Sequence, residues 1–70
     1  MSTTGPKYNR IQEVLDAQGR SQEWLAGQIG RSRKMVNEYC RNVRQPSLEL
    51  LFVIARVLGV TPQELIGEGE

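Results

Sequence analysis

Apolar residues along this chain fall in short bursts at helical spacing, separated by glycine, serine and proline. Ile11, Val14, Leu15 and Gln18 share one helical face and Gly19 is placed to stop it, which predicts a first helix over 8–18. Ser21 is a good N-cap for a second helix over 22–29, with Leu25, Ala26 and Ile29 turned inward. Gly30 closes it, expected at positive φ, where glycine avoids a Cβ clash. Ser32 caps a third helix over 33–41 whose core positions are Val36 and Tyr39. Residues 42–46 read as a loop, because Pro46 disfavours helix for the residue before it. Ser47 caps a fourth helix over 48–58, with Leu48, Leu51, Phe52, Ala55 and Leu58 as its expected buried face and Gly59 as its end. Thr61-Pro62-Gln63-Glu64 is a compact start signal: a cap, a proline at the first helical position and the glutamate of a capping box. The last helix should reach about Ile66. The pattern predicts an all-α bundle of five short helices over 8–66, a flexible tail over 1–7 and fraying over 67–70.

Composition narrows the chemistry. Seventy residues allow one small domain. Cys40 is the only cysteine and there is no histidine, so no disulfide can form within the chain and a zinc site lacks its usual ligands. The absence of a cysteine framework fits a reducing compartment, and the polar stretch 1–8 has no apolar run behind it, so no signal peptide is expected. The longest apolar-rich stretch, 48–60, is broken by Glu49 and Arg56 and is too short to span a bilayer. A cytoplasmic domain, away from membranes, is expected. An enzyme is not: there is no histidine, no base beside the cysteine, no glycine-rich phosphate loop and no paired carboxylates. No cofactor or metal is expected either.

Net charge is only +1, but it is unevenly spread. Residues 7–45 hold eight cations against four acids, and residues 46–70 hold Arg56 against four acids. Arg33 and Lys34 occupy the first turn of the third helix. A helix N-terminus favours carboxylates, and cations there cost from a few tenths up to about 1 kcal/mol. Their placement points to an anion from outside the chain, with nucleic acid the leading candidate.

Several elements in order carry a family resemblance. Ser21-Gln22 opens the second helix, Leu25-Ala26 and Ile29-Gly30 follow, Ser32-Arg33 opens the third, and Val36 and Tyr39 fall at its core positions. Arg44-Gln45-Pro46-Ser47-Leu48 leads into the fourth helix, followed by Ala55, Leu58-Gly59-Val60 and Leu65. Over residues 9–66 the chain resembles the Cro/lambda-repressor type helix-turn-helix (XRE) family. The resemblance implies a compact five-helix lambda-repressor-like DNA-binding domain in which helices 2 and 3 form the helix-turn-helix. It also implies a transcriptional regulator of double-stranded DNA, a repressor rather than an activator, reading the major groove with helix 3. By position, Arg33, Lys34, Asn37 and Glu38 match its base-reading residues. Gln22 matches a phosphate-holding residue, and Ser32, Arg41, Asn42 and Arg44 are expected at the backbone phosphates. Glu38 is left between base reading and either solvent exposure or a salt bridge to Arg41 or Lys34. The family pattern after the aromatic core residue is Glu-Asn-Gly, and Cys40-Arg41-Asn42 stands in its place, a more basic turn.

The remaining residues have plainer readings. Trp24 is expected to pack against the first helix, and Cys40 to be a half-buried filler with no redox role. Leu50, Val53 and Val57 form a second apolar stripe on the fourth helix. Together with Leu65 and Ile66 it suggests a homodimer contact, as against a larger monomer core. The same stripe keeps open an alternative function, a protein-interaction module such as an antitoxin binding a partner toxin.

Overall fold

The computed structural model describes residues 8–67; the tail expected at 1–7 and, of the tail expected at 67–70, residues 68–70 lie outside the described residues. Five helices follow one another: α1 (Ile11–Gln18), α2 (Gln22–Ile29), α3 (Arg33–Cys40), α4 (Leu48–Leu58) and α5 (Pro62–Leu65). Four start at the expected caps. The hydroxyls of Ser21, Ser32, Ser47 and Thr61 accept from the backbone N–H groups of Trp24, Met35, Leu50 and Glu64 at 2.9–3.3 Å, each satisfying one donor that the first turn would leave open. The turn between α2 and α3 depends on Gly30, which sits at φ 69°, while Arg31 N–H reaches back to Ala26 O at 3.1 Å. That left-handed residue lets α3 start after only Arg31 and Ser32.

The start of α1 differs from the sequence expectation. Residues 8–10 are not helical, and Asn9 bridges Ile66 in antiparallel fashion. Arg10 N–H donates to Leu65 O at 2.8 Å and Gly67 N–H to Tyr8 O at 2.6 Å, so the two ends of the domain are joined and Gly67 is held where fraying was expected. Asn9 is the organising residue and is only 3% exposed. Its side chain donates to Tyr39 O and Gln45 Oε1 and accepts from Ile11 N–H, so burial leaves none of its polar atoms unpaired.

Ile11 and Leu15 of α1, Leu25, Ala26 and Ile29 of α2, Val36 and Tyr39 of α3, and Leu65 of α5 fill the core as their periodicity predicts for most of them. α2 packs on α3 and α4, and α4 packs on α5. Gln18 is a minor exception: it is exposed, and its Nε2 donates to Leu58 O at 2.8 Å, tying the end of α1 to the end of α4.

The face of α4 is a correction. Leu50, Ile54, Ala55 and Leu58 are buried, whereas Leu48 is 68% and Phe52 50% exposed. Ala55 and Leu58 are buried as expected, and Leu50 and Ile54 take the places expected for Leu48 and Phe52. On a helix that advances about 100° per residue, the buried face is therefore turned by roughly 70° from the expected one. α4 is apolar almost all round, and its own periodicity does not choose between the faces; α2 and α5 do.

Candidate nucleic-acid interface

α2 and α3 form the helix-turn-helix, with Ala26 buried between them and small enough to let the backbones approach. Val36 and Tyr39 anchor the inner side of α3, and this fixes its rotation. Arg33, Lys34 and Arg41 are consequently exposed on the outer side, while Asn37 and Glu38 are half-buried. The first turn of α3 contains no acid. Among the described residues, Arg33, Lys34 and Arg41 have no anionic partner, so the charge beside the helix N-terminus is uncompensated within the fold. Arg33, Lys34 and Asn37 line one shallow recess, and Arg33 also borders a second with Ser21, Gln22 and Glu23. The N-terminus of α2 therefore opens beside the N-terminus of α3.

Six expected site residues are engaged inside the chain. Asn42 was expected at phosphate. It instead sits at φ 63°, where asparagine is one of the few tolerated residues. Its Oδ1 accepts from the N–H groups of Tyr8 and Asn9 at 2.9 Å and from Gln45 Nε2 at 3.1 Å, and its Nδ2 donates to Asn9 O. Asn42 is a latch between the end of α3 and the N-terminal segment. Arg44 and Glu38 pair with each other: Arg44 Nε lies 2.8 Å from Glu38 Oε1. The salt bridge weighed for Glu38 is thus made, with a partner other than Arg41 or Lys34. Gln22 donates to Gln12 Oε1 and accepts from Asn37 Nδ2, which ties the start of α2 to the reading face of α3. Ser32 spends its oxygen lone pair on the α3 cap.

The expected dimer contact is also corrected. Leu50 and Leu65 belong to the protein's own core and are closed to a partner. Val53 and Val57 are half-buried against that core, and only Ile66, 49% exposed, remains well open. Among the described residues the large apolar side chains that do reach the surface are Tyr8, Val43, Leu48, Phe52 and Ile66, and Tyr8 and Ile66 border a groove with Pro46 and Leu51. Sequence reasoning missed Asn9, Gln12 and Gln45 altogether. The signal for the Asn9 latch was slight: Asn42, directly after a helix, where a left-handed residue is common.

The other singled-out residues behave as packing. Trp24 is half-buried with the Arg20 guanidinium 4.0 Å above its ring, a cation–π contact. The Cys40 thiol is pushed up to about 11 by burial and then by the nearby Asp16 carboxylate, so it stays protonated and unreactive near neutrality. No group of histidine, cysteine and carboxylates among the described residues could hold a metal, and no described helix is long and apolar enough to cross a membrane.

Residues 11–65 match the helix-turn-helix family. Two solved structures are similar along most of their length. A candidate DNA-binding protein from Bacteroides fragilis is 42% identical, with a TM-score of 0.84, over 86% of this chain and 97% of its own. The restriction-modification controller protein C.AhdI from Aeromonas hydrophila is 36% identical, with a TM-score of 0.73, over 79% of this chain and 83% of its own. No curated protein matches. With the five-helix order, the α2–α3 turn and this match over most of its length, the chain belongs to the helix-turn-helix family of the Cro/lambda-repressor type.

Proposed function

We propose that this protein is a sequence-specific regulator of transcription that binds double-stranded DNA as a homodimer and reads the major groove with α3. The observation that carries the reading is the pair of cations Arg33 and Lys34, without an anionic partner among the described residues, on the exposed first turn of α3 next to Asn37. A helix fits the major groove of B-DNA, and guanine O6 and N7 there suit Arg33 or Lys34. Arg41 lies at the far end of α3, in reach of the flanking backbone, and the N-terminus of α2 with Gln22, and Ser32 at the start of α3, offer donors to another phosphate. Arg44 holds Glu38 through Nε, which leaves its terminal N–H groups for phosphate, and a base contact by Glu38 competes with that pair. The likeness to a restriction-modification controller supports a regulatory role, and repression follows from the family resemblance alone. A cytoplasmic location accompanies it.

Two copies would place their recognition helices in successive major grooves about 34 Å apart. The surface offered for that contact is the exposed apolar set Leu48, Phe52, Tyr8 and Ile66, in place of the stripe through Leu50. The same surface supports a second reading, a module that binds a different protein. Selection of bound duplexes from a random pool at two salt concentrations separates them. A palindromic consensus that weakens steeply with salt is the expected result; no enrichment leaves the protein-binding reading.

A further inference from the structure

Asn37 reaches the outer face of α3 as the last member of a directional chain of side chains. Its Nδ2 donates to Gln22 Oε1 at 3.1 Å, Gln22 Nε2 donates to Gln12 Oε1 at 2.7 Å, and Gln12 Nε2 donates to Asp16 Oδ1 at 2.8 Å. The path runs from α3 through α2 to α1. A primary amide can present either its oxygen or its nitrogen in a given direction, but a carboxylate can only accept. Asp16 therefore draws the nitrogen of Gln12, which turns the Gln12 oxygen to Gln22. Gln22 in turn shows its oxygen to Asn37, and Asn37 commits its nitrogen inward.

We propose that this relay, anchored by Asp16, makes Asn37 a hydrogen-bond acceptor toward DNA and so selects an amino-bearing base at one position of the site. The proposal rests on the DNA-binding reading of α3. One Nδ2 hydrogen is held by Gln22, so the amide is oriented with Oδ1 open to the recess that Asn37 shares with Arg33 and Lys34. Oδ1 accepts from no other group among the described residues, and the second Nδ2 hydrogen is left beside it. In the major groove an acceptor meets adenine N6–H or cytosine N4–H, and it opposes guanine O6 and thymine O4. Gln12 and Asp16 act through Gln22 and are positioning residues. They set base preference from a helix outside the helix-turn-helix.

The relay can be reversed by one change. Gln12→Lys places a donor-only group where an acceptor is needed, so Gln22 turns its oxygen toward α1 and Asn37 presents its nitrogen outward. The full chain and its variants are each used to select duplexes from a random pool, and the position read by Asn37 is the one whose preference Asn37→Ala erases. The parent chain should prefer adenine or cytosine there on the contacted strand, and Gln12→Lys should swing the preference toward guanine or thymine by about tenfold, with other positions unchanged. Asp16→Ala, at an exposed position, should blur the preference, and adding Gln12→Glu should restore it, because a carboxylate at position 12 accepts directly from Gln22. Helix content and melting temperature confirm that each variant is folded. The same base preference in the parent, Gln12→Lys and Asp16→Ala overturns the relay alone. No enriched sequence for the parent chain overturns the DNA-binding reading and the relay with it.

Discussion

α3 and α4 are both amphipathic on paper, yet they settle their orientation in different ways. α3 has two buried residues, Val36 and Tyr39, flanked by half-buried Met35 and Cys40, and its other positions are polar or charged, so only one rotation about its axis hides the apolar groups. α4 is apolar at Leu48, from Leu50 to Ala55, and again at Val57 and Leu58, so several rotations would bury a similar number of carbons. The helix that carries the binding face is specified locally. The helix that carries the core is specified by what packs on it, and the apolar groups left over become a surface.

The comparison breaks most sharply at neighbouring positions on α4. Ile54→Ala should cost about 2–5 kcal/mol in urea unfolding, as expected for truncating a fully buried aliphatic side chain. Phe52→Ala should cost under about 1 kcal/mol, since half of that ring is already in water, but it should lower the sedimentation mass if the exposed side of α4 pairs with a second copy. Equal losses at the two positions would mean that the helix is rotated otherwise.

On α3 the expected change is in binding. The double variant Arg33→Ala, Lys34→Ala should weaken specific DNA binding by about a hundredfold and flatten the salt dependence by up to about two units of slope, read by fluorescence anisotropy. Its melting temperature should hold or rise slightly, because removing cations from a helix N-terminus relieves a repulsion of at most about 1 kcal/mol. Unchanged affinity and salt slope would remove these residues from the interface.

Asn42 sharpens the contrast between a binding residue and a folding residue at the end of the same helix. Asn42→Gly keeps the left-handed backbone and deletes the latch to Tyr8 and Asn9, and should destabilise the fold by about 1–3 kcal/mol. DNA affinity of the folded fraction should be unchanged; a loss of affinity without a loss of stability would return Asn42 to the phosphate contacts.

The smallest effect concerns Cys40. Its thiol is raised from 9.0 to about 11 by burial and by Asp16, so the unfolded chain ionises first as pH rises. Its contribution to stability is intact below pH 9 and should fade between pH 9 and 11. Alkylation of the native protein near pH 8 should be slow beside that of the unfolded chain. Equal rates would show that the thiol is not shielded.

The helix order, the four serine and threonine caps and the glycine stops were legible because each depends on a few neighbouring residues. The outward placement of Arg33 and Lys34 was equally legible, since Val36 and Tyr39 determine it within one turn and a half. Asn9 could not be read as buried. Nothing beside it in sequence distinguishes it from a tail residue, and its partners Tyr39, Asn42 and Gln45 are 30 to 36 positions away. Glu38 found Arg44, six residues on, because the loop after α3 folds back and brings it there. By itself the sequence determined the local elements and the charged face of the recognition helix, where short-range sterics and capping suffice. Only the tertiary structure decided which side of α4 is core, which amides form the relay behind Asn37 and which polar residues are latches. Each of these depends on groups brought together from distant parts of the chain, and local periodicity carries no record of that meeting.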